Sequence, residues 1–108
     1  MGPDPQVPPV VAVVVTCDAG PWFEEALAAV RDQDYPALSV LVIDAGGTED
    51  PTRRVAGVVP SAFVRRMEER TGFGAAANQA LTMVEGASHF VFCHDDVAPD
   101  RGAVRLLV

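Results

Sequence analysis

The chain has 108 residues, enough for one domain, or part of one, with a modest core. Its hydrophobic share of 49% places it among globular rather than disordered chains. A net charge of −7 argues against a general nucleic-acid binder or a protein held on an anionic membrane, because both need a basic surface.

The first segment, "MGPDPQVPP" (1–9), lacks the charged start and apolar stretch of a signal peptide and reads as an extended proline-rich lead-in. "VVAVVVT" (10–16) is a continuous β-branched run without polar alternation, the pattern of a central parallel strand covered on both faces. "GPWFEEALAAVRDQ" (20–33) predicts a helix, with Pro21 in its first turn and Glu24 and Glu25 near its positive end. Phe23, Leu27 and Val30 form its core-facing stripe. "DYP" (34–36) breaks the chain before a second strand, "LSVLVID" (38–44). "AGGTEDPTRR" (45–54) is a polar, glycine-marked loop leading into a short helix. "SAFVRRM" (61–67) predicts a third strand and "GFGAAANQALTMVEG" (72–86) a glycine-entered helix that stops at Gly86. "SHFVFCH" (88–94) is the fourth strand, and "PDRGAVRLLV" (99–108) begins another helix.

This alternation predicts an α/β fold built on an open doubly wound, mainly parallel sheet, whose ligands bind outside the carboxyl ends of the strands. Those ends read Thr16-Cys17-Asp18, Asp44, Glu68-Glu69 and His94-Asp95-Asp96, so an acid follows every strand. Carboxylates converging on one rim repel unless neutralised, and Mg²⁺ or Mn²⁺ with oxygen ligands would do this while bridging to a diphosphate. Local roles compete with that reading. Asp18 serves equally as a helix or turn cap, and Glu68 and Glu69 read better as a solvated loop. The Asp95–Asp96 pair after a buried strand favours function. The eight arginines, in a chain without lysine, remain for local phosphate contacts. Cys17 and Cys93 close apolar runs, form no CxxC pair, and read as reduced thiols of a cytoplasmic protein.

Read together, "VVAVVVTCDAG", "LSVLVIDAGGTED", "RTGFGAAANQAL" and "HFVFCHDDVAPDRGAVRLL" resemble, in order and spacing, the nucleotide-sugar half of family 2 glycosyltransferases of the GT-A fold. The resemblance implies that Thr16, Cys17 and Asp18 border the nucleotide base and that Asp44 accepts a hydrogen bond from base or ribose. Gly72 and Gly74 would let a helix N-terminus approach the nucleotide; their bland alternative is a turn and tight helix packing. Asn78 either orients that loop or faces the helix surface. Asp96 is the implied metal ligand, with Asp95 on the ribose, on a metal-bound water or on the metal itself. His94 is a second ligand or, more in keeping with a lone histidine, a packed and hydrogen-bonded residue. Three positions depart from the family pattern: Ala45 stands for the second acid after strand two, Arg70 for an asparagine, and His94 for the first acid of the metal motif.

The implied activity is metal-dependent, inverting transfer of a sugar from a nucleotide-diphosphate donor to the hydroxyl of a glycan or lipid-linked glycan, as in cell-wall synthesis. On this reading residues 10–108 are the donor-binding part of a truncated GT-A domain, with the catalytic base beyond Val108 and any membrane attachment in a longer parent chain. The fragment alone is then inactive. A non-catalytic interaction module that keeps the fold is the alternative, motivated by Ala45 and His94. A receiver domain is disfavoured by the absence of lysine, and a dinucleotide dehydrogenase by a glycine motif that follows the third strand. Two further expectations follow. The strand order that the resemblance implies sets strands one and four side by side, making Cys17 and Cys93 near neighbours on one rim, and open sheet edges favour self-association.

Overall fold

The first β-branched run becomes the strand on which the rest is assembled. A computed structural model describes residues 9–67, 72, 74–75, 78, 82, 89–95 and 98–104. Strand β1 (Val10–Thr16) is buried along its whole length. It pairs in parallel with β2 (Leu38–Asp44) on one side and with β4 (His89–His94) on the other. Strand β3 (Phe63–Arg66) continues the sheet beyond β2, giving the order β3-β2-β1-β4. Parallel neighbours need crossover connections. Helix α1 (Phe23–Arg31) lies between β1 and β2 in the chain, and α2 (Thr52–Val58) between β2 and β3.

Side-chain alternation divides the core into two faces. Ala12, Val14, Val40 and Val42 pack with Phe23, Leu27 and Val30 of α1 and with Val55 and Val59 at α2. Val11, Val13, Val15, Leu41, Ile43 and Ala45 form the opposite cluster, joined by Cys17, Met67 and Phe90. Burial on both faces is what the unbroken apolar run of β1 predicts. The α1 stripe is buried as expected, with Ala26 added to it.

Several boundaries move. Helix α1 starts at Phe23 rather than at residue 20, because Gly20 closes a turn by accepting from the Phe23 amide at 3.3 Å. It ends at Arg31 because the Gln33 side chain folds back onto the Ala29 carbonyl at 3.1 Å and takes the place of another turn. Strand β3 is four residues rather than seven, since Ala62 is held in the turn after α2 by its hydrogen bond to the Val59 carbonyl.

In the expected helix over 72–86, residues 74–75, 78 and 82 are helical and exposed, a spacing that places 75, 78 and 82 on one outer face. Gly72 is exposed and precedes the helical residues; the remaining positions of that stretch, with Glu68, Glu69, Arg70 and Asp96, lie outside the described residues. The expected final helix is present at 103–104, the last residues described.

The cysteine expectation is half right. β1 and β4 are adjacent, but Cys93 is in register with Val14 and packs toward α1, whereas Cys17 packs on the opposite face. Their side chains are separated by the sheet, because the pleat sends positions of unlike parity to opposite sides. Among the described residues no helix is long and apolar enough to cross a membrane.

Candidate functional site

Four parallel strands bring their carboxyl ends to one edge. The register sets Thr16 opposite Asp44 and Asp44 opposite Arg66, and Val15 opposite His94 puts Asp95 beside Thr16. Arg66, Asp44, Thr16 and Asp95 therefore form a row across the sheet, with neighbours separated by about 4.8 Å of strand spacing. They share the parity of Val64, Val42, Val14 and Cys93, so the row lies on the face that carries α1 and α2.

Hydrogen bonds stitch this row. The Thr16 hydroxyl, itself buried, donates to Asp95 Oδ2 at 2.8 Å. Arg66 Nε donates to Asp44 Oδ2 at 2.9 Å, and its Nη2 donates to the Gly47 carbonyl at 3.1 Å. The Asp44 side chain is 1% exposed, and its other oxygen accepts the Gly47 amide at 2.8 Å. The carboxylate beside Arg66 raises the guanidinium pKa above its usual value, with weaker support from Asp50 and Asp18. The two oxygens of Asp44 thus shape the β2–α2 loop at the rim.

Asp18 reaches the same loop from the other strand. Its backbone takes the left-handed conformation, φ 51°. Its Oδ1 accepts from the Thr48 hydroxyl at 3.1 Å and the Glu49 amide at 2.9 Å. Two glycines make this closure possible. Gly46 supplies φ 90°, and Gly47 leaves room: a Cβ there would lie 2.8 Å from the Asp18 nitrogen and 3.0 Å from Asp44 Oδ1.

Sequence reasoning missed Arg54. From α2 its Nη1 donates to the Ala19 carbonyl at 2.9 Å, and its Nη2 donates to the Gly20 carbonyl and to Glu24 Oε2, both at 2.8 Å. Its Nε bonds Glu24 Oε1, and the guanidinium lies 5.1 Å from the Phe23 ring centroid. These bonds hold Glu24 at a pKa of about 2, against an ordinary 4.5. Arg54 also feels the charges of Glu49 and Asp95. With Thr16, Asp18, Asp44 and Glu49 it lines a small cleft between the ends of β1 and β2. Glu24 and Arg54 are 30 residues apart, and no local pattern pairs them.

The remaining expected residues divide. Cys17 is half-buried and packs on the far side of the sheet. Gly72, Gly74 and Asn78 are exposed, and a Cβ on either glycine would meet nothing within 4 Å. His94 is exposed at the end of β4.

Among the described residues no group of three His, Cys, Asp or Glu side chains is placed to hold a metal. Mg²⁺ and similar ions commonly use only one or two carboxylates, completed by water and substrate phosphates. Asp95, with Oδ2 fixed by Thr16 and Oδ1 unengaged among the described residues, fits such a set together with the Asp96 that follows it.

Comparison with known proteins agrees with this architecture. Residues 11–108 match the profile of glycosyl transferase family 2. The mannosyltransferase PcManGT from Pyrobaculum calidifontis, solved with GDP-Man and Mn²⁺, shares 33% identity over 99% of this chain and 34% of its own, with a TM-score of 0.75. S. aureus TarS (1–349) superposes with a TM-score of 0.79 at 22% identity, over 92% of this chain and 31% of its own. TarS in complex with UDP-GlcNAc gives 0.77 at 23% identity, over 92% and 30%. At that identity the TarS likeness shows the fold. The search of curated proteins gives no match. This chain spans about a third of the length of the solved structures it resembles. The ordered motifs, the parallel sheet and the profile match over nearly all its residues agree: the chain belongs to glycosyl transferase family 2.

Proposed function

We propose that this chain is the donor-binding part of a metal-dependent glycosyltransferase that inverts the anomeric centre as it passes a sugar to an acceptor hydroxyl. The observation that carries this reading is the Thr16–Asp95 hydrogen bond at 2.8 Å, which fixes one carboxylate of the metal motif at the shared edge of β1, β2 and β4. Similar proteins have been solved with GDP-Man and Mn²⁺ and with UDP-GlcNAc. A nucleotide-diphosphate sugar is thus the class of donor.

On this reading Thr16, Cys17 and Asp18 border the base largely through their backbone, and Asp44 accepts a hydrogen bond from base or ribose beside the Gly47 loop and Arg66. Gly72, Gly74 and Asn78 flank the diphosphate, where an exposed glycine lets it approach the backbone. Asp96 and Asp95 hold Mg²⁺ or Mn²⁺, with Asp95 shared with the ribose. The bound cation would offset the negative charge that grows on the departing diphosphate. In-line attack also needs a base for the acceptor hydroxyl, and none of these rim residues is assigned that task. The acceptor is a glycan or lipid-linked glycan, reached from the cytoplasmic side.

Calorimetry of the full chain with Mn²⁺ and a panel of UDP-, GDP- and dTDP-sugars tests the proposal. Metal-dependent binding of one donor is expected, weakened about tenfold or more by Asp95→Ala or Asp96→Ala. Binding that survives both substitutions unchanged would overturn it. No binding to any donor would also overturn it, and would favour a non-catalytic interaction module.

A further inference from the structure

Gln33 is a polar side chain in a buried position, 8% exposed, just beyond the end of α1. Buried amides persist where their hydrogen bonds are made. Its Nε2 donates to the Asp100 carbonyl at 2.7 Å as well as to Ala29 at 3.1 Å, and its Oε1 accepts the Val104 amide at 3.0 Å. The next residue repeats the attachment, with the Asp34 amide donating to the Arg101 carbonyl at 2.7 Å. Residues 100–104 belong to the segment that leaves the rim directly after Asp95 and Asp96.

Packing beneath this segment is incomplete. An apolar cavity of about 210 Å³ separates it from β4, with Val91, Cys93 and His94 on the strand side and Pro99 and Ala103 opposite. Side chains that face an open pocket have fewer protein partners to pack against, so hydrogen bonds take a larger share in holding the segment. The chain after β4 is thus held at both of its described ends, by Thr16 on Asp95 and by Gln33 on Asp100 and Val104. Two adjacent carboxylates repel each other, and a turn free at one end would let them splay.

We propose that Gln33 is a positioning residue for the metal motif: by gripping Asp100 and Val104 it fixes the chain that follows Asp95 and Asp96 in sequence, and so sets the affinity for the divalent cation. This inference rests on the donor-site reading above.

The test compares wild type, Gln33→Leu and Gln33→Glu with Val59→Ala, a core change at the end of α2. Leucine keeps the bulk and removes every hydrogen bond; glutamate keeps an acceptor for Val104 and loses the donor to Asp100. Mn²⁺ affinity is measured by calorimetry with and without donor, and exchange of the Val104 amide by NMR. In Gln33→Leu, exchange at Val104 should speed and Mn²⁺ affinity fall, each about tenfold, the loss expected from one or two hydrogen bonds. If leucine does not fold, Gln33→Glu must show the Mn²⁺ loss alone. Val59→Ala should lower the melting temperature and leave Mn²⁺ affinity unchanged. Wild-type Mn²⁺ affinity in the folded Gln33 variants would overturn the inference while leaving the donor reading intact, as would an equal Mn²⁺ loss in Val59→Ala. A wild type that binds neither Mn²⁺ nor any donor would overturn both.

Discussion

At Gly47 the space a Cβ would need is already occupied by the Asp18 nitrogen at 2.8 Å and by Oδ1 of Asp18 and of Asp44 at 2.9 and 3.0 Å. None of these is the loose end of a long side chain, so alanine there must push apart the loop that Asp18 and Asp44 hold together. Gly47→Ala is expected to destabilise the fold by about 1–3 kcal/mol, as other overpacked sites do. It should also weaken donor binding, because the distortion falls on Asp18. Urea unfolding reads the first effect and calorimetry the second, and an unchanged midpoint would contradict this account. The sequence marked Gly47 only as part of a turn. It marked Thr16, Asp18, Asp44 and Asp95 more sharply, because a polar residue at the end of an apolar strand is a local signal. That Asp44 spends both oxygens inside the protein was not legible, since its partner Arg66 lies 22 residues away on another strand.

The helices act as fasteners for the loops at the rim. Arg54 ties α2 to the first turn of α1 and to two carbonyls of the β1–α1 loop. The Glu24 carboxyl has its folded pKa depressed to about 2 by this arginine. Stabilisation from a depressed carboxylate is full above its unfolded value and disappears as pH falls through the folded one. The melting-temperature gap between wild type and Arg54→Gln should therefore narrow between pH 4.5 and pH 2, the two ends of the Glu24 shift. Glu24 is 44% exposed, so solvent screening keeps the pair's share to about 0.5–1 kcal/mol. The carbonyl bonds of Arg54 persist at every pH, so a residual gap remains. A gap independent of pH would show that the ion pair contributes nothing. The apolar stripe of α1 was readable from spacing alone, but its limits were not, because a turn at Gly20 and a side chain from Gln33 set them.

Among the described residues, the sheet ends in β3 on one side and β4 on the other. Phe63 on β3 is 70% exposed and Phe92 on β4 is 39% exposed, while Phe90 and Phe92 stack with centroids 6.3 Å apart. Arg65 and Arg66 make β3 a poor template for a second chain, since charge on an edge strand discourages pairing. Among the described residues, β4 carries no arginine beside Phe92. Sedimentation velocity of this chain should show mass rising with concentration, and Phe92→Ser should reduce the rise. A monomer at every concentration would contradict the self-association proposed for it.

Composition, strand patterning and motif order by themselves determined the α/β class, the limits of β1 and β2, the acidic carboxyl edge and the resemblance to family 2 glycosyltransferases. Each is local, since a strand's burial shows as an apolar run and its end as the first polar residue. The tertiary structure alone decided which groups meet there. It set Thr16 against Asp95, turned Asp44 inward to Arg66, sent Cys17 and Cys93 to opposite faces, and joined Gln33 to Asp100 across 67 residues. Hydrogen bonds over such separations leave no periodic trace in the chain. The residues show which donors and acceptors exist, and only strand order and register bring them within 3 Å of one another.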